Sequence, residues 1–160
     1  MATAFDAFVG GIDHPMVVVT AAHGGERSGC LVGFSTQVSI HPPRYLVCIS
    51  KENHTYPVAE RSDHLALHLL GSDQTALARL FGEETGDVVD KFERCEWHLG
   101  QTGTPVLRET AASMEGRVIG RLPVGDHEAF IMRGLSSVSG THKGLLTYRS
   151  APMLDPGHPA

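Results

Sequence analysis

Long apolar runs, clusters of positive charge and paired cysteines are all missing from this chain of 160 residues. No apolar stretch approaches the ~20 residues a membrane-crossing helix needs, so no membrane partner is expected. Lys and Arg number 13 against 18 Asp and Glu, a net charge of −5, and no basic run occurs. Nucleic-acid binding draws on clustered cations that neutralise phosphates, so that class of partner is also not expected. The cysteines are three, Cys30, Cys48 and Cys95, an odd number without a C-x-x-C pair. They read as buried thiols of a cytoplasmic protein, not as a disulfide framework. The opening MATAFDAFVGGIDHP lacks the basic and then apolar segments of a secretory signal. No H-E-x-x-H or Cys/His spacing offers a metal site, and no G-x-S-x-G elbow marks a hydrolase serine. No G-x-G-x-x-G follows a strand and opens a helix, so a nicotinamide bound here would not be held by the usual dinucleotide fold.

What remains is ordinary globular composition, 41% hydrophobic and 19% charged, at a length that suits one domain. The expected boundaries are residues 1–150 for the domain and 151–160 for a loosely ordered, Pro-containing tail. Met16–Ala22 is short and rich in Val, hence a strand; His23–Glu26 is a turn, and Arg27–Val38 a returning strand with Gly33 in its middle. His41-Pro42-Pro43 ends that strand, and the continuously apolar Tyr45–Ile49 reads as a strand buried on both faces. Thr55 is placed to cap a short helix with Pro57 in its first turn. His64–Leu70 alternates as a half-buried strand. Ser72 is placed to cap a helix carrying Leu77, Leu80 and Phe81, with Gly82 as its C-terminal cap. A further helical turn is expected over Val88, Val89 and Phe92, following Asp87. Two strands flank Pro123–Asp126, the first with Met114, Gly116, Val118, Gly120 and Leu122 on one face and Ser113, Glu115, Arg117 and Arg121 on the other. About six strands with short helices imply a mainly β, antiparallel, Greek-key split barrel.

Three segments carry candidate chemistry. Gly29–Pro43, G-C-L-V-G-F-S-T-Q-V-S-I-H-P-P, is a strand of small residues against which a flat ring can lie, with free N–H groups at a bulge. Ser50–Tyr56, S-K-E-N-H-T-Y, clusters donors ahead of a helix start, where anions are held. Gly125-Asp126-His127 places a carboxylate beside an imidazole suited to proton transfer near neutral pH. Taken singly, an edge strand and a Gly-Asp turn are the commoner explanations of the first and third, and a polar loop serves as well for the second.

In this order, together with P-M-V-V-V-T before them and L-A-R-L-F-G-E-E-T-G-D-V-V-D-K-F between the second and third, the segments resemble the flavin-reductase family of FMN-binding split barrels over roughly Phe8–Tyr148. The resemblance implies a homodimer with FMN or FAD near the subunit interface and NADH or NADPH as co-substrate. It puts the flavin ring along Val32, Gly33, Phe34, Ser35 and Thr36 with Ser39 nearby, and the phosphate on Ser50, Lys51, Asn53, His54 and Thr55. His127 takes the catalytic position, and Phe92 approaches the site. The implied activity is hydride transfer from nicotinamide to flavin, with reduced flavin supplied to a monooxygenase. The alternatives are a tightly bound FMN that reduces another substrate, and a non-catalytic barrel for flavin or haem.

Overall fold

The structure is a computed structural model that describes residues 3–86, 89–142, 144–151 and 154. Strands β1 (Val17–His23) and β2 (Glu26–Val32) form a hairpin. Gly24 and Gly25 turn it at positive φ, 58° and 85°, a backbone region costly for any residue with a Cβ. The single strand expected over Arg27–Val38 is two: the chain breaks at Gly33–Phe34 and leaves as β3 (Ser35–Ile40). β3 pairs not with β1 but with β4 (Pro43–Ser50), whose leading proline sits where no ladder donor is required. After the short helix α2 (Tyr56–Glu60) comes β5 (His64–Leu69), and the long hairpin of β8 (Ala112–Pro123) and β9 (His127–Ser139) follows later.

All seven strands join one antiparallel sheet in the order β2-β1-β5-β8-β9-β4-β3. Its two edges, β2 and β3, are separated in sequence only by Gly33 and Phe34. A residue spans at most ~3.6 Å of chain, so the edges must meet and the sheet must roll up. Phe34 O accepts from Cys48 N at 2.9 Å, tying that corner to β4. The result is a split barrel, left open along the seam. With the separate hairpin of β6 (Trp97–Leu99) and β7 (Pro105–Leu107), the strands among the described residues number nine where about six were expected. Both members of that hairpin are three residues long, too short to show a periodicity.

Two apolar cores occupy the two faces of the sheet. Inside the barrel, Val17, Val19, Val47, Ile49, Leu65, Phe130 and Met132 pack together. Outside, Val18, Leu70, Phe81, Phe92, Leu107 and Leu146 pack beneath α3 (Thr75–Gly82), a 3₁₀ turn (Lys91–Arg94) and the small hairpin. β5 is therefore buried on both faces, not half-buried, with Ala66 and His68 as inaccessible as Leu65. His68 survives there because both ring nitrogens are used: Nδ1 donates to Val18 O and Nε2 accepts from Leu107 N, each at 3.0 Å. Burial holds its pKa down at about 4, the neutral form this bonding requires.

Several local expectations are revised. The Thr55 hydroxyl does not cap α2; it bonds the Ser28 hydroxyl at 2.9 Å, although Pro57 occupies the first turn as expected. α3 starts after Gln74 instead of Ser72, and Gly82 is its last residue, not its cap. Phe92 lies in the 3₁₀ turn, while Asp87 and Val88 fall outside the described residues. Helix α1 (Ala4–Val9) was not expected; its signal was the capping box of Thr3 and Asp6. Glu115, placed with the polar face of β8, is buried, and its carboxylate accepts from Gln101 N, Thr102 N and the Thr102 hydroxyl. Most of the tail after Ala151 falls outside the described residues. Among those described, no helix is long and apolar enough to cross a membrane.

Candidate active site

The seam where the sheet fails to close opens into a cleft of about 800 Å³, within the range of small-molecule sites. Three parts of the barrel meet there. The end of β2 contributes Val32 and the corner Gly33–Phe34; the end of β4 and the turn after it contribute Ser50, Asn53 and His54; the β8–β9 turn contributes Asp126 and His127. The sheet register explains the meeting: Ser50 lies opposite His127 across β4 and β9, and Lys51 N donates to Asp126 O at 2.9 Å. The opposite wall comes from the end of α3, the segment after α1, and Tyr148 and Arg149 near the C-terminus. Arg149 clasps that wall, bonding Gly10 O through its guanidinium and Asp13 through its backbone N–H.

Of the residues expected at the site, Val32, Gly33, Phe34, Ser50, Asn53, His54 and His127 line this cleft. Five others stand beside it. The Ser35 hydroxyl bonds the Tyr45 hydroxyl at 2.9 Å, and Thr36 and Ser39 continue along the edge strand. Lys51 turns its ammonium to Gly125 O at 2.6 Å, pinning the β8–β9 turn. Thr55 is buried on Ser28. The structure also brings in residues that sequence reasoning had passed over, chiefly His14, Lys91, Tyr148 and Arg149. Lys91 had a signal, since it belongs to the same D-K-F segment as Phe92. For Tyr148 and Arg149 there was none, because only the fold returns the C-terminal segment to the cleft.

His127 is the best-organised titratable group in the cleft. Its Nδ1 lies 2.7 Å from Asp126 Oδ1. A carboxylate can only accept, so Nδ1 carries a proton and Nε2 is the nitrogen left for a ligand. That bond holds the Asp126 carboxyl below its ordinary range. The Phe34 ring stands 5.2 Å from His127 on one side and 6.4 Å from His14 on the other, roofing the mouth of the cleft. Deeper in, Lys91 is 6% exposed, and its ammonium donates to Gly29 O and Phe81 O at 3.2 Å each. Burial pushes its pKa down, opposed in part by Cys30 and Glu84. The Cys30 thiol is itself pushed up to about 11 by burial, which leaves it unreactive. No group of three or more His, Cys, Asp or Glu side chains suited to a metal ion occurs among the described residues.

An open barrel whose seam holds an apolar shelf, an ordered imidazole and a buried ammonium fits a planar ligand with an anionic tail. Comparison with known proteins gives that class its family. Residues 9–152 match the model of the flavin reductase like domain, and the chain belongs to that family. It is 32% identical over 145 residues to the reductase component of 4-nitrophenol 4-monooxygenase/4-nitrocatechol 2-monooxygenase from Rhodococcus opacus, covering 91% of this chain and 76% of the relative. It is 27% identical over 132 residues to the FMN reductase (NADH) RutF of Variovorax paradoxus, covering 82% and 73%. A longer relative from Rhizobium meliloti, 30% identical over 159 residues, is spanned over only 48% of its length. The fold superposes on a flavin reductase domain protein from Arthrobacter sp. FB24 with a TM-score of 0.79 at 22% identity, covering 88% of this chain and 86% of that one. Against the NADH:FAD oxidoreductase SgcE6 of Streptomyces globisporus C-1027 the TM-score is 0.78 at 25% identity, covering 87% and 86%.

Proposed function

We propose that this flavin reductase oxidises NADH, passes the hydride to a flavin seated in the seam of the barrel, and releases reduced flavin to a separate monooxygenase. The observation that carries the reading is the convergence of three sequence-distant segments, around Val32–Phe34, Ser50–His54 and Asp126–His127, on one cleft. The residues present fit a flavin. Gly33 meets nothing within 4 Å where a Cβ would stand, which leaves the shelf clear for a flat ring. Ser50, Asn53 and His54 hold the anionic tail, with Lys91 deeper in the same wall. When bound, the flavin supplies the hydride acceptor. The chain's own task is to align the nicotinamide with that acceptor, exclude water and present a proton donor. Phe34 and the C-terminal wall do the excluding. Asp126 orients His127, whose Nε2 is the position from which a proton is given or held.

The Rhodococcus relative's name as a monooxygenase reductase component and the Variovorax relative's name as an NADH-dependent FMN reductase support the partner and the co-substrate. A homodimer belongs to the same reading. Ile40, Leu122 and Val138 stand more than half exposed on β3, β8 and β9, apolar surface that a second subunit would cover. Sedimentation of the purified protein tests it, and a monomer at micromolar concentration counts against it. The activity is tested by following NADH and NADPH oxidation with and without added FMN or FAD. Saturable dependence on free flavin is expected. Turnover without added flavin would instead make it a bound prosthetic group, and no oxidation of either nucleotide would defeat the reading.

A further inference from the structure

An exposed aromatic side chain calls for a reason only when its contacts are specific, and those of Phe34 are. Its backbone is fixed at the corner of the barrel, the carbonyl accepting from Cys48 N at 2.9 Å. Cys48 lies two residues before Ser50 on β4, and Ser50 is opposite His127 on β9. One strand therefore carries both the corner and the end of the β8–β9 turn, and the Phe34 ring reaches from the first to the imidazole of the second. The ring centres are 5.2 Å apart with their planes inclined by 50°, within the ~4.5–7 Å over which aromatic rings attract. On its other side Phe34 makes an edge-on contact with His14 at 6.4 Å and 74°. His14 is tied to the C-terminal wall, its carbonyl accepting from Tyr148 N at 2.7 Å. Phe34 is thus braced between the two walls of the cleft.

Without that ring, His127 lacks a fixed plane. The bond to Asp126 holds Nδ1 at 2.7 Å, but one bond in the plane of the ring leaves the imidazole free to tilt about the N–H···O line. The carboxylate is also poorly placed to hold it. The Asp126 side chain is 74% exposed against 18% for the imidazole, so water competes for the pair and screens it. A tilt carries Nε2 away from the point at which a proton is given, and proton transfer needs partners at ~3 Å. The Phe34 ring, packed against the imidazole, removes that freedom.

We propose that Phe34 is a positioning residue for the reaction, its ring setting the plane of His127 so that Nε2 faces into the cleft. The inference rests on the role given to His127 above and deepens it.

The test is a double-mutant cycle on the full chain. Single-turnover reduction of flavin by NADH is followed at saturating flavin in the parent, Phe34→Ala, His127→Ala and the double variant. Phe34 is 57% exposed, so these changes leave the apolar cores intact. Phe34→Ala is expected to slow the step about threefold to tenfold, the bias that one aromatic pair gives to a ring orientation. In the His127→Ala background the same change should have no effect beyond about 1.5-fold, because the ring it positions is gone. Phe34→Tyr, which keeps the ring, should restore the rate, and Phe34→Leu, which keeps only the bulk, should not. Equal losses in both backgrounds, or full rate in Phe34→Leu, would make the side chain a cover for the cleft acting independently of His127, and would overturn the proposal. An undiminished rate in Phe34→Ala would do the same. An undiminished rate in His127→Ala would overturn the role of the imidazole itself, and the proposal with it.

Discussion

The two faces of the sheet solve the same problem by different means. Inside the barrel, alternate residues of β1, β4, β5 and β9 close a core that is almost wholly apolar. Outside, short elements cover the sheet incompletely, and polar side chains are drawn in to hold them. Thr20 donates to Pro105 O, His68 bridges β1 to β7, Lys91 reaches Gly29 and Phe81, and Glu115 anchors the turn before β7. Long strands seal a surface by themselves, whereas patches of helix and loop leave gaps at their joints. The cleft lies at those joints, along the seam. Binding capacity here belongs to the face that is harder to close.

The largest expected effect tests the interior. Phe130 is fully buried, and Phe130→Ala should lower unfolding stability in urea by about 3–5 kcal/mol through the cavity it leaves. A loss below about 1 kcal/mol would mean that the barrel core is not the rigid partner in the comparison.

Next comes the outer face and its buried His68. Its pKa in the folded chain is about 4 against an ordinary 6.5. A depressed histidine pKa means that the unfolded chain binds the proton first. His68 therefore costs no stability above pH ~6.5 and about 3 kcal/mol by pH ~4, the loss growing as pH falls between them. Unfolding curves across that window should show the slope, and His68→Gln should flatten it.

At the seam, His127→Ala should slow flavin reduction by NADH on the order of 10²-fold in single-turnover kinetics, with flavin affinity changed much less. Equal turnover in the variant would remove His127 from the reaction.

The smallest effect concerns the C-terminal wall. His142 faces acceptors at both nitrogens, Asp73 Oδ1 at 2.9 Å and Glu109 O at 2.5 Å, an arrangement that suits the protonated ring. Those two partners hold its pKa above the ordinary value. The clasp is then complete below pH ~6.5 and is lost as pH rises through the elevated value. Hydrogen exchange in residues 144–151 should quicken on that rise, and His142→Ala should be fast at both ends.

Much of the fold was legible because sheet periodicity is local. The short, Val-rich Met16–Ala22, and the alternation of Leu65, Leu67 and Leu69 with His64, Ala66 and His68, announce strands before any partner is known. The β8–β9 hairpin was legible for a similar reason, its turn chemistry lying at Pro123–Asp126. Gly33 in the sequence suggests a bulge or a close approach of backbone or ligand, not a change of partner, because the choice of β4 over β1 as partner for β3 depends on a strand that arrives later in the chain. β6 and β7 escaped notice since three residues carry too little pattern. His64–Leu69 misled in the opposite direction. Its alternation is real, but what covers the second face is supplied by Phe81, Leu107 and Leu146, all distant in sequence.

By itself the sequence determined most of the longer strands, their turns and the three chemically suggestive segments, since each depends on neighbours a few residues apart. Tertiary structure alone decided that these segments share one seam, that Lys91 stands in its wall, and that Arg27 and Phe92 line a smaller chamber of about 340 Å³ beside it. The reason is physical. A cleft is empty space bounded by groups that chain connectivity does not relate, and rolling the sheet brings them together.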